Sequence, residues 1–326
     1  MMSGWQKKKS NLSGGENKMN SRDSLKSKIG NILDKNAFYF MMLPAIVLLI
    51  IFEYLPKFGL ILAFKNYRYD KGILGSDWTG LDNFKAFFST PDAWIITRNT
   101  LAYNLVFIVL GMVLAVTLAI VLNELSSSLG RKTYQTIMIM PYFLSYVIVA
   151  YLAFSFLGTE TGILNKKILP MLGIEPKNWY ASPEYWPFIL VLVRMWKVVG
   201  YDSIVYLAAI VGIDQSYYEA AVIDGATKFQ QIRYITIPCI KNMMSIMLIM
   251  AFGGIFNADF GLFYQIPMNS GLLKSTTDVL PTYIYNSMGD VGFSTAAGLY
   301  VSVVGFVMIL ISNKISKMLD EESGLF

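Results

Sequence analysis

The stretch "SYYEAAVIDGATKFQQIRYITIP", from Ser216 to Pro238, is a compact polar segment within a chain that is otherwise very apolar. Of the 326 residues, 55% are hydrophobic and 15% are charged, whereas about a quarter of the residues in a typical soluble domain are charged. The composition therefore predicts a membrane protein. A polar segment in such a chain is expected to lie across a membrane surface, outside the hydrocarbon core.

Local sequence signals predict that this segment is a helix–turn–helix. Ser216 stands three residues before Glu219, which is the spacing of a capping box at a helix start. Gly225 predicts the end of the first helix, because glycine adopts the left-handed conformation readily. A second helical stretch is expected over 226–234, and Pro238 fits the first turn of the next span. The expected apolar side of the segment consists of Ala220, Ala221, Ile223, Phe229 and Ile232.

Six further segments are apolar over about 20 residues, the length that a helix needs to cross a bilayer. They are 38–64, 99–122, 135–157, 186–210, 239–256 and 296–312. The expected fold is all-α, a polytopic membrane protein with six transmembrane helices. The expected domains are a basic polar tail over 1–36, a membrane domain over 37–314 that includes the loop 214–238, and a short C-terminal tail over 315–326.

The distribution of Lys and Arg predicts the orientation. Six spans place both termini on the same side of the membrane. With the N-terminus inside, fifteen Lys and Arg residues lie in the cytoplasmic segments and ten in or beside the outer loops. Cytoplasmic segments usually carry this excess, and the tail before the first span contributes most of it here. Both termini and the 214–238 segment are therefore expected in the cytoplasm.

Several kinds of chemistry are not expected. The chain has no histidine and one cysteine, Cys239, so zinc sites, Cys/His nucleophile pairs and internal disulfides are excluded or nearly so. It has no Gly-x-x-x-x-Gly-Lys-Ser/Thr loop for phosphates, and "GRKT" at 130–133 lacks the first glycine. No enzymatic activity, metal, cofactor or nucleic-acid partner is expected of this chain.

The helix–turn–helix carries a resemblance to a known family. Glu219-Ala220-Ala221, then Gly225, then Ile235-Thr236-Ile237-Pro238 resembles the signature loop of ABC-importer permeases, with Ile237 where leucine is usual. Other stretches look like the carbohydrate branch of that family, including its oligosaccharide importers. They are "LPAI" at 43–46, "GLDNFKAFF" at 80–88, "RNTLAYNLV" at 98–106, "IVYLAAIVGID" at 204–214, "GGIFNADFGLFYQIP" at 253–267 and "STAAGLYVSVVGFVMILISN" at 294–313.

The resemblance implies a type I importer fold in the plasma membrane of a bacterium. It implies a heterodimer with a second permease, two cytoplasmic ATPase subunits that bind ATP and Mg²⁺, and an extracellular sugar-binding lipoprotein. The loop is expected to dock on the ATPase as a coupling helix, with Glu219 facing a basic residue there. The residues that the resemblance assigns to coupling are Glu219, Ala220, Ala221, Asp224, Gly225, Ala226 and Phe229.

Charged residues within the apolar segments indicate where a solute could pass. Arg194 and Lys197 lie three residues apart and share one helix face, and ionisable groups at membrane depth usually line a cavity. Sugars suit walls that mix polar and aromatic groups. The candidates for the path are Glu53, Arg194, Trp196, Lys197, Tyr201, Gly254, Asn257 and Asp259.

The residues leave structural alternatives open for these candidates. Arg194 and Lys197 could pair with acids such as Glu53, and Glu53 could instead pair with Lys57, four residues on. Gly253 and Gly254 could serve close helix packing as well as ligand space.

Three other functions compete with sugar import. An ABC permease for another solute, such as a peptide or amino acid, would carry the same loop. A carrier driven by ions would be expected to show titratable groups within the membrane and inverted repeats. A structural or assembly protein of the membrane is a third reading, which would not stimulate an ATPase.

Overall fold

The computed structural model describes residues 37–125 and 127–319, and most of them are helical. The chain divides into two compact units, residues 1–59 and 60–326. The helices are α1 (Ala37–Leu49), α2 (Gly72–Gly75), α3 (Asp82–Ser89), α4 (Pro91–Glu124), α5 (Ser128–Ile139), α6 (Tyr146–Leu157), α7 (Leu169–Met171), α8 (Trp186–Val211), α9 (Gln215–Ile223), α10 (Lys228–Gln231), α11 (Ile237–Cys239), α12 (Lys241–Gly253), α13 (Phe260–Gln265), α14 (Lys274–Thr277), α15 (Leu280–Asn286) and α16 (Val291–Leu319). Strands β1 (Lys65–Asn66) and β2 (Asp77–Trp78) pair antiparallel.

The described part of the first unit is the α1 helix and its continuation. A π-helical turn over Ile50–Tyr54 follows α1, and a 3₁₀ helix over Leu55–Phe64 follows that turn. The expected ion pair between Glu53 and Lys57 does not form, and Lys57 Nζ lies instead 4.9 Å from the centre of the Tyr54 ring. The physical reason is the change of helix type, because the i,i+4 alignment holds only in an α-helix.

Helices α4 and α8 pack side by side in the second unit. Both begin with favourable signals: the Thr90 side chain accepts the N–H of Ala93 at the start of α4, and each helix has a proline within its first two positions. Small residues at Ala115 and Ala119 are fully buried against α8 residues such as Tyr206 and Ile210. The pair forms the centre from which the candidate site is built.

Two of the expected spans are broken. The predicted continuous helix over 135–157 is instead two pieces, Ser128–Phe143 and α6, whose axes differ by 97°. The predicted span over 239–256 is α12 alone, preceded by a helix over Lys228–Cys239 at an angle of 60°. A 3₁₀ turn at Met140–Phe143, followed by Ser145 as the N-cap of α6, explains the first break. Ile240 separates the two helices at the second.

Three helices in the described residues are long and apolar enough to cross a membrane, and up to five spans result if each bent pair is one span. Helix α8 has 26 residues, which at 1.5 Å per residue is long enough to cross the hydrocarbon, but it carries three ionisable side chains. The buried core falls into three clusters around α4, α8 and α16.

Candidate functional site

The first candidate site is the 214–238 segment. The N–H of Ala226 donates to Ala221 O at 2.8 Å, and the N–H of Gly225 donates to Val222 O at 3.1 Å. With φ of +75° at Gly225, this pattern is a Schellman motif, in which a left-handed residue ends the helix and satisfies its last carbonyls. The predicted glycine stop is therefore present.

The helix starts differ from the sequence prediction. Asp214, not Ser216, is the N-cap of α9, and its carboxylate accepts the N–H of Ser216 at 2.9 Å. The expected Ser216–Glu219 capping box is wrong, because α9 begins two residues earlier than that pattern requires. A capping box does form at the second helix, where Thr227 and Gln230 satisfy each other's backbone N–H groups.

The caps and one hydrogen bond hold the two helices of the segment together. The hydroxyls of Tyr218 and Thr236 lie 2.9 Å apart and join α9 to the π-helical turn after α10. The hydrogen bond from the N–H of Ser216 lowers the pKa of Asp214 below its ordinary value, so this cap remains ionised at neutral pH. The predicted second helix over 226–234 begins at Lys228 and continues to Cys239.

The outer surface of this segment is apolar and exposed. Ile223 is 86% exposed and Phe229 is 70% exposed, while Glu219 is also exposed beside them in sequence. Behind α9 lies an open cleft of about 660 Å³, and Arg131, Glu124, Glu219 and Lys228 are among its lining residues. An exposed apolar surface with charged groups at its edge is typical of a protein–protein contact.

The second candidate site is a cleft of about 220 Å³ between α4, α8 and α12. Its wall mixes polar and apolar groups. The lining residues are Asn104, Phe107, Ile108, Gly111, Met112, Ala115, Arg194, Val198, Asp202, Tyr206, Met247, Leu248, Ala251, Gly254 and Asn257. The cleft therefore offers carboxylate, amide, guanidinium and phenol groups together with an aromatic ring.

Three of the residues predicted for the path line this cleft: Arg194, Gly254 and Asn257. Arg194 lies over the Phe107 ring with its guanidinium carbon 5.8 Å from the ring centre. Its Nη1 is 3.4 Å from Asp259 Oδ2, so Asp259, and not Glu53, is the acid that pairs with it. Asp259 also accepts the Tyr146 hydroxyl at 2.6 Å and caps α13.

The remaining candidates lie outside the lining of the cleft. Trp196 and Tyr201 are exposed, and Tyr201 stacks on Tyr142 with ring centres 4.0 Å apart. Lys197 is buried and donates to the backbone carbonyls of Tyr142 and Leu144, in the segment between α5 and α6. Glu53 belongs to the other unit and is exposed there.

The two adjacent glycines of α12 have separate surroundings. A Cβ on Gly253 would lie 2.9 Å from Ile309 Cγ1 of α16, so that glycine serves close packing of α12 on α16. A Cβ on Gly254 would make only an ordinary contact, 3.6 Å from Ala251 O, and Gly254 lines the cleft. The sequence left open close helix packing and space for a ligand. The first applies at Gly253 and the second at Gly254.

Sequence reasoning missed three polar lining residues, Asn104, Asp202 and Tyr206. Asp202 was visible as a charge in an apolar segment, and its spacing of eight residues from Arg194 places both on one face of α8. Asn104 donates to Ile255 O at 2.7 Å. This contact joins α4 to the residues that follow α12, and no local sequence pattern predicts it.

Comparison with known proteins identifies relatives along nearly the whole chain. The family model described as "Binding-protein-dependent transport system inner membrane component" matches residues 107–320. Protein LplB of Bacillus subtilis (strain 168) is 35% identical over 291 residues, which cover 88% of this chain and 90% of LplB. The polygalacturonan/rhamnogalacturonan transport system permease protein YteP of the same organism is 31% identical over 304 residues, with 92% and 94% covered.

Solved structures give the same answer for the fold. A chain from the crystal structure of a bacterial alginate ABC transporter in complex with an alginate pentasaccharide-bound periplasmic protein is 34% identical, with a TM-score of 0.79, and the match covers 89% of this chain and 97% of that one. The family model matches more than half of the chain, and LplB is 35% identical over 88% of it. We therefore place this chain in the binding-protein-dependent transport system inner membrane component family.

Proposed function

We propose that this chain is the six-span permease subunit of an ATP-driven bacterial importer of oligosaccharides, and that its 214–238 segment couples it to the ATPase. One observation carries the proposal: this segment is closed at both helix ends by its own caps, yet exposes Ile223 and Phe229. A rigid helix pair with an apolar outer surface is suited to a groove on a soluble partner. Glu219, Ala220, Ala221, Asp224, Gly225, Ala226 and Phe229 form the proposed contact.

The six proposed spans are α1 with its continuation, α4, the bent pair α5 and α6, α8, the bent pair that ends in α12, and α16. Counting α8 is reasonable because its charged groups find partners within the protein or line the cleft, as ionisable groups inside membranes generally do. This arrangement puts both termini and the 214–238 segment in the cytoplasm of the bacterial cell.

The cleft is proposed as this subunit's share of the solute path. Asn104, Asp202, Tyr206 and Asn257 offer hydrogen bonds to hydroxyl groups, and Phe107 offers an aromatic ring. Oligosaccharides present both hydroxyls and apolar ring faces. The named relatives, a polygalacturonan/rhamnogalacturonan permease and an alginate transporter, support a saccharide as the solute.

The proposed partners are a second permease, two ATPase subunits that hold ATP and Mg²⁺, and an extracellular sugar-binding lipoprotein. A related transporter has been solved with its periplasmic binding protein. The proposed mechanism is alternating access: ATP closes the two ATPases, and the coupling segment moves the spans so that the cleft opens outward. Reversing a strongly biased equilibrium between inward-open and outward-open states takes about 5 kcal/mol of differential binding. ATP bound to the ATPases can supply this free energy, whereas a sugar alone would supply it with difficulty.

The decisive experiment is uptake by the complete transporter, produced with the products of the neighbouring reading frames and reconstituted in liposomes. Glu219→Gln leaves both helix caps intact, since Glu219 caps neither helix. We expect this variant to lose most ATP-driven uptake while the complex still assembles. The matched control is Glu184→Gln, an exposed acid in the outer loop 158–185, which should behave as wild type. Full activity of Glu219→Gln would remove the proposed charge contact.

A cross-link tests the position of the segment independently. Cys239 is the native thiol and is exposed, so it is first replaced by serine. A thiol at Ala221→Cys should then form a cross-link to the ATPase subunit, and a reagent that cannot cross the membrane should label it only from the cytoplasmic side. Labelling from the outside would overturn the proposed orientation.

A further inference from the structure

The break between α5 and α6 leaves backbone groups without their usual helical partners. A bend of 97° takes the carbonyls of Tyr142 and Leu144 out of line with the N–H groups of α6, while Pro141 O accepts the N–H of Leu144 at 3.2 Å. At the start of α6, the N–H of Ile148 donates to the Ser145 hydroxyl instead, at 3.3 Å. Within the hydrocarbon no water is present to satisfy such carbonyls, so the protein must supply donors.

Lys197 of α8 supplies these donors. Its Nζ lies 2.6 Å from Leu144 O, 2.7 Å from Tyr142 O and 3.3 Å from Pro141 O. A lysine ammonium has three N–H donors, and three carbonyls surround this one. The ring of Tyr146 adds a cation–π contact at 4.9 Å. Lys197 is 6% exposed, so the ammonium is satisfied almost entirely by this broken span.

A second contact between α8 and the end of α5 lies one helical turn further along α8, at Gly200. A Cβ on Gly200 would lie 1.9 Å from Met138 O, so only glycine allows the end of α5 to come this close. Lys197 and Gly200 are three residues apart and therefore face the same way. Next to them, Tyr201 stacks on Tyr142 with an interplanar angle of 7°.

We propose that Lys197 is a positioning residue that fixes the angle between α5 and α6, with Gly200 allowing the close approach. The name "α8 joint" is used below for Lys197, Gly200 and the carbonyls of Pro141, Tyr142 and Leu144. The carbonyl end of a helix carries partial negative charge, and it holds the ammonium where the bilayer would otherwise expel it. The two half-helices thus move as one bent body.

This role differs from the solute contact expected from the sequence. The three N–H groups of Lys197 are already directed at carbonyls, and the residue does not line the cleft. The nearby charges, Arg194 and Asp259, pair with each other. Loss of Lys197 should therefore reduce the maximal rate of transport and leave the apparent affinity for solute almost unchanged.

Distances between the half-helices test the joint directly. In the complete transporter with Cys239→Ser, spin labels at Thr133→Cys on α5 and Tyr151→Cys on α6 report the bend, since both positions are exposed. We expect Lys197→Met, which keeps the length and loses the donors, to broaden the distance distribution. Uptake should fall about tenfold in maximal rate, with the apparent affinity within about twofold. Lys197→Arg, which retains donors, should recover part of both.

The matched control is Lys132→Met, an exposed lysine on α5, which should change neither distance nor rate. An unchanged distance distribution in Lys197→Met would overturn the proposal, and so would a loss confined to apparent affinity, which would make Lys197 a solute contact. If Lys197→Met does not assemble, Lys197→Gln replaces it in the same comparison.

A measurement on the wild-type chain needs no variant. Brief reductive methylation of the intact transporter should modify Lys132 while Lys197 stays protected, as mass spectrometry of the peptides would report. Modification of Lys197 at the same rate as Lys132 would show that its amine is free of the carbonyls, which contradicts the proposal.

Discussion

The 214–238 segment and the α8 joint solve the same problem with different partners. Both contain a helix that stops and another that starts within a few residues. In the first, Gly225, Thr227 and Asp214 satisfy the helix ends from positions at most five residues away. In the second, Lys197 reaches carbonyls 53 to 56 residues away in the chain.

The difference follows from the surroundings of each region. Water can satisfy whatever a cap leaves open at an exposed segment, so local signals suffice there. Inside the hydrocarbon, where α8 is proposed to lie, water offers an unsatisfied carbonyl no such alternative, and at this break the donor comes from another helix. The break at the α8 joint is therefore completed both by a local cap, Ser145, and by Lys197 of a second helix.

The largest effect on stability is expected at the acid that joins three elements near the joint. Asp259→Ala removes the partner of Tyr146 and Arg194 and the cap of α13. Breaking a fully buried pair costs about 3–5 kcal/mol. Because Arg194 and Asp259 are 29% and 31% exposed, we expect about 2 kcal/mol, after the discount for solvent screening.

Thermal unfolding of the purified complex measures this loss. Asp259→Asn is the matched variant, since an amide can still cap α13 and accept the Tyr146 hydroxyl. It should lose about half as much stability as alanine. Equal melting temperatures for Asp259→Ala and wild type would show that the network adds nothing to stability.

The next effect tests whether local backbone conformation holds the 214–238 segment. Gly225 has φ of +75°, and a Cβ there would meet nothing within 4 Å. Gly225→Ala should therefore destabilise the segment only through its backbone, by about 1–2 kcal/mol. Gly225→Asn should lose less, since asparagine tolerates the left-handed region. Uptake should follow this order, glycine above asparagine above alanine, and the reverse order would exclude a conformational role for Gly225.

Particular residues show what the sequence could and could not predict. Gly225 was predicted because its signal is local. Three of the six apolar segments, 38–64, 99–122 and 296–312, correspond to helices long and apolar enough to cross a membrane, because hydrophobicity needs no partner. The break at residues 144–145 was missed, since Pro141 alone does not distinguish a kink from a full bend. The pairing of Arg194 with Asp259, 65 residues apart, depends on how α8 packs against α13. A single sequence contains no signal that predicts this packing.

The start of α9 shows a smaller error of the same kind. Asp214 and Ser216 are both good N-caps, so residue type could not choose between them. The choice was settled by where α8 ends, at Val211 with Gly212 as its C-cap. Boundaries of neighbouring helices thus decide caps that look equivalent in the sequence.

A smaller effect is expected from the second cap of the segment. Thr227→Ala removes the capping box with Gln230 and should cost about 1 kcal/mol, whereas Thr227→Ser should cost much less. Hydrogen exchange of the amides over 228–231 should become faster in the alanine variant. Exchange that is unchanged there would mean that contacts elsewhere, such as Tyr218 with Thr236, hold α10 without its cap.

The smallest effect is expected from the ion pair that joins this segment to the end of α4. Lys228 Nζ lies 2.9 Å from Glu124 Oε2, with side chains that are 70% and 42% exposed, and exposed pairs contribute about 0.2–1 kcal/mol. Lys228→Gln should therefore reduce stability by no more than about 0.5 kcal/mol, and the loss should shrink further as salt rises. The charge swap Lys228→Glu with Glu124→Lys should restore what either single change removes. A loss larger than that of Thr227→Ala would reverse the comparison, because it would mean that long-range contacts, rather than local caps, hold the exposed segment as they hold the α8 joint.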